Sequence, residues 1–193
     1  MPQISPAEFY EVPLRVHTFL AGVPLHDVWA VDLPTHRDGV TLAEFLRSAR
    51  QNSGVNKLPP VARALLSLRL FLGRIFRLEA EPKDAAAASF GNRLTPEDRA
   101  RSLAVPGTPD GLFRVVYRFE NEQLLEVQNR TVHAAALSAL VAGTDHYRFY
   151  FAVYVLQGTW MTPIYMGLID PFRKSIIYPA LLKRVRATWD QSI

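Results

Sequence analysis

Apolar and polar positions alternate along Phe113–Phe119 (FRVVYRF): Phe113, Val115, Tyr117 and Phe119 share one face, Arg114 and Arg118 the other. That period of two predicts a half-buried strand. Glu120-Asn121-Glu122 predicts a hairpin turn, Gln123–Gln128 the return strand and Thr131–Val141 the next. Tyr147–Gln157 (YRFYFAVYVLQ) is apolar on both faces, as a central strand covered on two sides must be. Upstream, His26–Leu33 (HDVWAVDL) sets Val28, Ala30 and Asp32 against Asp27, Trp29, Val31 and Leu33, and Pro34 ends this first strand. Thr41 caps a helix to about Asn52, with Glu44 placed to complete a capping box. Pro59-Pro60 opens a second helix to about Leu78, whose stripe includes Val61, Leu65, Leu68, Leu72 and Phe76.

A long amphipathic stretch closes the chain. Tyr165, Leu168, Ile169, Phe172 and Ile176 form one stripe; Tyr178, Leu181, Leu182, Val185 and Trp189 form another, nearly opposite if the helix were continuous. Pro179 sits at the changeover, where its missing N–H and ring clash predict a bend or break. Residues 1–24, with Pro6, Pro13 and Pro24, predict an extended arm lying on the body. Residues 79–111 predict a long loop, either a plain surface or disordered segment or a lid, because Pro and Gly punctuate it. Within that loop, Thr95-Pro96-Glu97-Asp98 has the cap, the proline and the early acids that open a short helix to about Leu103. The pattern as a whole predicts one α+β domain over residues 1–193. In it an antiparallel sheet grips a long C-terminal helix, and two helices follow the first strand.

Composition narrows the classes. The 193 residues include no Cys, which removes disulfides, thiol nucleophiles and thiolate metal sites. Phe149–Ile169 carries no charge and is about long enough to cross a bilayer. Gln157-Gly158-Thr159 interrupts it, however, and Thr162-Pro163 starts a helix, so a strand followed by a helix replaces a membrane span. Met1-Pro2-Gln3-Ile4-Ser5 lacks the basic and apolar regions of a signal peptide, which predicts a cytoplasmic protein starting near residue 1. The net charge is +4, with basic residues gathered at Lys57, Arg63, Arg69, Arg74 and Arg77 and again at Arg173, Lys174, Lys183, Arg184 and Arg186. No recognition motif accompanies them, so they read as solvated helix faces and nucleic acid is not an expected partner.

Several segments together resemble a known family. They are Trp29-Ala30-Val31-Asp32-Leu33-Pro34; the helix with Pro59, Leu65-Leu66-Ser67-Leu68-Arg69 and Gly73-Arg74; Phe119-Glu120-Asn121-Glu122; and Tyr165-Met166-Gly167-Leu168-Ile169-Asp170-Pro171-Phe172-Arg173. From about residue 24 onward the chain resembles the domain of unknown function 2867. The order of elements is similar to the helix-grip fold of the START and birch-pollen-allergen superfamily, which includes polyketide cyclase-like proteins. The resemblance implies a bacterial helix-grip protein without assigned catalytic residues. The His common after the Pro-Phe pair in that family is replaced here by Arg173.

The chain lacks a Gly-x-Ser-x-Gly elbow, a phosphate-cradling Gly loop and a His-Glu-x-x-His pair. No metal or cofactor is expected, and the His residues are scattered. The expected function is binding of a small, largely apolar ligand between sheet and C-terminal helix. Its expected contacts are Tyr117, His133, Tyr150, Tyr154, Trp160 and Tyr165, with Trp29 as a further aromatic wall and Ala134, Ala135, Ala136 and Ala139 leaving volume. One alternative is an enzyme of cyclase or hydratase type using His133 or a Tyr as acid or base in the same cavity. Another is a homodimeric or anionic-surface interaction protein; the chain itself is expected to be a monomer or homodimer.

Overall fold

A computed structural model describes residues 3–34, 38–51, 85–111, 113–128, 133–156, 174–175 and 178–192. Strand β1 (Leu25–Pro34) precedes helix α3 (Leu42–Gln51), and the meander β3 (Phe113–Arg118), β4 (Glu122–Gln128), β5 (His133–Ala142) and β6 (His146–Leu156) leads to helix α6 (Tyr178–Ser192). A two-residue strand β2 (Pro109–Asp110) joins the edge, and all six form one antiparallel sheet in the order β1-β6-β5-β4-β3-β2. The expected strands at His26, Phe113, Gln123 and Tyr147 and the expected single sheet are all present, and β5 is described from His133. Phe149–Leu156 is strand, and among the described residues no helix is long and apolar enough to cross a membrane. The second expected helix, Pro59–Leu78, and the first C-terminal stripe lie outside the described residues.

Strand alternation divides the core into two clusters, one on each face of the sheet. On one face Val28 and Ala30 of β1, Tyr150, Ala152 and Tyr154 of β6, and Ala135, Leu137 and Ala139 of β5 meet Phe9, Val16, Phe19 and Leu20. The opposite face carries Trp29, Val31 and Leu33 of β1 and Phe149, Val153 and Val155 of β6, which meet Leu42, Phe45, Tyr178, Leu182, Val185 and Trp189. A strand as apolar as β6 therefore has cover on both sides.

The N-terminal residues are not an extended arm. They fold into α1 (Pro6–Tyr10), capped by Ser5 Oγ accepting from Glu8 N at 3.1 Å, and α2 (Arg15–Phe19). Pro6 stands in the first turn, where its missing N–H is no loss, and Phe9 and Val16 are fully buried. The three prolines that read as helix-free chain stand in the first turn of α1, between α1 and α2, and after α2, and apolar burial rather than propensity stabilises these single-turn helices.

Three other local patterns have clear outcomes. Thr41 Oγ1 accepts from Glu44 N at 3.1 Å at the start of α3. After the single turn α4 (Ala85–Ala88), Thr95 and Asp98 form the reciprocal box that opens α5 (Pro96–Arg101). The alternation expected for β3 fails at Val116, where a bulge sets Val115 opposite Leu125 but Tyr117 opposite Leu124 and so turns Val115 away from the Tyr117 face. Of the expected long C-terminal helix the described part is α6, which begins at Tyr178 with Pro179 in its first turn. Residues 176–177 lie outside the description, so the bend expected at Pro179 does too.

Trp189 anchors α6. It is fully buried, its ring centroid lies 5.6 Å from Phe45 and 5.1 Å from Tyr147, and its Nε1 donates to Pro34 O at 2.7 Å. One side chain thus ties α6, α3 and the ends of β1 and β6. Trp189→Ala should cost about 3–5 kcal/mol, read as a lowered urea midpoint.

Candidate functional site

Two buried carboxylates stand at alternate inward positions of β4. Glu122 and Glu126 are 2 % and 5 % exposed and flank the fully buried Leu124. Each meets the amide end of a helical turn from a distant segment. Glu122 Oε2 accepts from Arg15 N at 2.8 Å and Oε1 from Val16 N at 3.2 Å, which caps α2, where Leu14 offers no side-chain cap. Tyr117 Oη donates to the same Oε1 at 2.5 Å. Glu126 Oε2 accepts from Phe90 N at 2.9 Å, and Oε1 accepts from the Ser89 hydroxyl, at the start of the 3-10 turn Phe90–Arg93. His133 Nε2 lies 3.3 Å from Glu126 Oε2, and the His133 ring stacks on Phe90 at 4.0 Å between centroids.

Arg15 links this network outward through a two-pronged pair with Asp98, Nε to Oδ1 at 3.0 Å and Nη2 to Oδ2 at 2.8 Å. Segment 85–111 is therefore anchored where it is described. Ser89, Phe90 and Asp98 pin it to the sheet and to α2. Leu103 N donates to Arg118 O and Gly107 N to Val115 O, so the segment also covers the outer edge of β3. Ionisation follows the surroundings. Burial pushes the Glu122 carboxyl up despite its three donors. Burial also opposes the charge of Glu126, but His133, Ser89 and Phe90 N outweigh it and hold that carboxyl down. The Arg15 hydrogen bonds hold Asp98 at about 2. Burial and the neighbouring Glu122 push Tyr117 far up, and burial raises Tyr154.

Four of the expected ligand contacts, Tyr117, His133, Tyr150 and Tyr154, lie on this face, under the N-terminal helices and not under α6. The physical reason is parity: odd positions of β5 and even positions of β6 point away from the C-terminal helix. The contacts do not converge. Tyr117 joins Glu122, His133 joins Glu126, and Tyr150 packs on Phe9 with Arg148 over its ring. Tyr154 is 1 % exposed, and its hydroxyl has no hydrogen-bond partner among the described residues. Ala135 and Ala139 are equally closed in. Trp160 and Tyr165 lie outside the described residues. Sequence reading missed Arg15, Asp98, Glu122 and Glu126. The available signal was the pair of acids two strand positions either side of Leu124, on the apolar side of β4.

The opposite face is less fully closed. Ala134, Ala136 and Ser138 of β5, Leu125 and Val127 of β4 and Phe151 of β6 are half-buried, although all point to the side of the sheet where α6 packs. Trp29 and Tyr178 meet edge-on at 5.6 Å, and Tyr178 and Phe151 at 5.3 Å, forming an aromatic wall beside this strip. Trp29, expected as an aromatic wall, stands on this face. Among the described residues no three His, Cys, Asp or Glu side chains are grouped to hold a metal.

Fold and site together define an α+β protein whose sheet is sealed on one face by clipped N-terminal helices and carries a half-buried apolar strip on the other. Over residues 19–180 the sequence matches the family described as protein of unknown function DUF2867, and the chain belongs to that family. No curated protein and no solved structure matches it.

The clips generate two predictions. Glu122→Ala removes the acceptor of three buried donors and should cost about 2–3 kcal/mol, whereas Glu122→Gln keeps one acceptor oxygen and should cost less; denaturant titration separates them. Folding depresses the Asp98 pKa, so the stabilisation from its carboxylate is complete above the ordinary value of 3.8 and is lost as pH falls toward about 2. Asp98→Asn should flatten the acid limb of the stability–pH curve in that window and leave the neutral-pH slope unchanged.

Proposed function

We propose that the protein binds a small, largely apolar ligand on the strip beside α6. The observation that carries this is the contrast between the two faces of β5. Ala135, Leu137 and Ala139 are buried under well-fitted cover, while Ala134, Ala136 and Ser138 remain half-buried next to the Trp29–Tyr178–Phe151 wall. Small side chains at these positions leave room above the sheet that a ligand's apolar surface can fill. The strand order supports a helix-grip scaffold of the START and birch-pollen-allergen type, since the first strand lies beside the last and the rest form a meander ending in a helix. The reading retains a cytoplasmic, bacterial protein acting as a monomer or homodimer, in keeping with the absence of Cys.

The enzyme alternative is less well supported. His133 and Tyr117, its acid or base candidates, are 7 % and 0 % exposed, and each already serves a carboxylate that caps a helical turn. Both groups are thus already engaged in holding the fold together.

Binding of the neutral fluorescent probe N-phenyl-naphthylamine tests the proposal. Ala136→Phe should weaken the probe at least about tenfold while changing stability by no more than about 0.5 kcal/mol. Ala135→Leu, on the sealed face, should overpack and cost about 1–3 kcal/mol without changing probe affinity. Failure of the wild type to bind the probe, or equal binding by Ala136→Phe, would refute the site.

A further inference from the structure

We infer that Ser138 and Gln123 hold the polar end of the ligand, and that this end is a carbonyl oxygen carried on a hydrocarbon chain. This rests on the ligand strip beside α6 and names the chemistry it recognises. Ser138 is the polar member of the half-buried strip, between Ala136 and the buried Leu140 of β5. Its oxygen is bonded directly to Cβ, so every rotamer keeps the hydroxyl on the side to which the strand turns that Cβ, the side on which Leu140 and Ala134 join the cluster under α6. Among the described residues no hydrogen bond engages it.

Gln123 stands directly opposite Ser138, and Arg118 stands opposite Gln123 on the next strand. Arg118 Nε donates to Gln123 Oε1. A guanidinium can only donate, so the amide atom that meets it is the oxygen and not the nitrogen. Oxygen and nitrogen diverge from one carbon; with the oxygen turned to β3, the NH2 group is left toward β5 and Ser138. Gln123 is 3 % exposed, and Asp110 Oδ2 accepts from Arg118 Nη2 at 2.9 Å, so both partners of this contact are held. The amide's acceptor is thus occupied and its donors remain. A hydroxyl and an amide N–H side by side match the two lone pairs of one carbonyl oxygen, as in a ketone, aldehyde or ester.

Strand register places the rest of the ligand. Along β5 the strip runs from Ser138 past Ala136 to Ala134, about 13 Å, between Leu125 and Val127 of β4 on one side and Val153 and Val155 of β6 on the other. In the opposite direction Leu140 is 3 % exposed and closes it. The polar pair therefore sits at the closed end, and an unbranched hydrocarbon tail follows the small alanine side chains away from it.

Displacement of N-phenyl-naphthylamine by a medium-chain methyl ketone and by the terminal alkene of equal length tests this. The ketone should bind the wild type about tenfold tighter than the alkene. Ser138→Ala removes the hydroxyl and little volume; it should cut that advantage to about threefold or less while leaving alkene affinity within about twofold. The infrared carbonyl band of the isotope-labelled ketone gives a second reading. On the wild type it should lie at lower frequency than in hexane, and Ser138→Ala should return it toward the hexane position. Equal affinity of the wild type for ketone and alkene, with the band at its hexane position, would overturn the polar anchor while leaving the strip as a site. A ketone advantage and a lowered band that both survive Ser138→Ala would overturn the role of Ser138. If neither competitor displaces the probe, or if Ala136→Phe leaves displacement unchanged, the strip falls and this inference with it.

Discussion

A sheet whose central strands have no polar face must be covered twice, and the rest of this structure follows from that requirement. Strand β6 sends Tyr150, Ala152 and Tyr154 to one side and Phe149, Val153 and Val155 to the other, all buried. Fully burying side chains of this size is worth about 1.5–3 kcal/mol each, so neither face can stay wet at tolerable cost. One cover comes from the start of the chain and the other from its end together with α3.

The two covers are held by different physics. On the α6 face the contacts among the described residues are mainly apolar and aromatic, and the Trp189 indole donates a long-range hydrogen bond that fastens the helix to the end of β1. On the other face the helices are single turns, too short to be stable alone, and their free amides would be costly inside a core. Glu122 and Glu126 answer both problems at once, because a carboxylate on the sheet accepts the amides and fixes where each turn begins. Arg15 and Asp98 then join the two clipped segments to each other. Buried charge here has a positional role: an apolar residue at Glu122 would fit the face but would leave the start of α2 unsatisfied.

This division of labour bears on function. A face locked by directional hydrogen bonds and buried ions resists rearrangement, since opening it strands charges in a low-dielectric interior. Among the described residues the other face is packed mainly by apolar contact, and its strip of Ala134, Ala136 and Ser138 is half-buried. Binding of an apolar ligand is compatible with that second face. The first face, with its tyrosines and histidine, contributes rigidity.

The sequence by itself determined the elements whose signals are local. The strands at His26, Phe113, Gln123 and Tyr147, the Thr41 and Thr95 caps and the Tyr178–Trp189 stripe all follow from periodicity and capping chemistry, which act within a few residues. Family membership was legible in the same way, from the segments around Trp29 and Pro171. What only the tertiary structure decided depends on residues far apart in the chain. Alternation placed Tyr117, His133, Tyr150 and Tyr154 inside, but it cannot say which of two buried faces the last helix will cover, and they fell on the face it does not. Glu122 reads as a turn residue until Arg15 and Val16 arrive from more than a hundred positions away. The bulge at Val116 reverses the side on which Val115 points, and the proline-marked arm becomes two helices because the sheet supplies apolar cover for both and a carboxylate cap for α2 that the arm does not encode alone. Local chemistry chose the pieces; the pairing of distant charges and surfaces chose their sides.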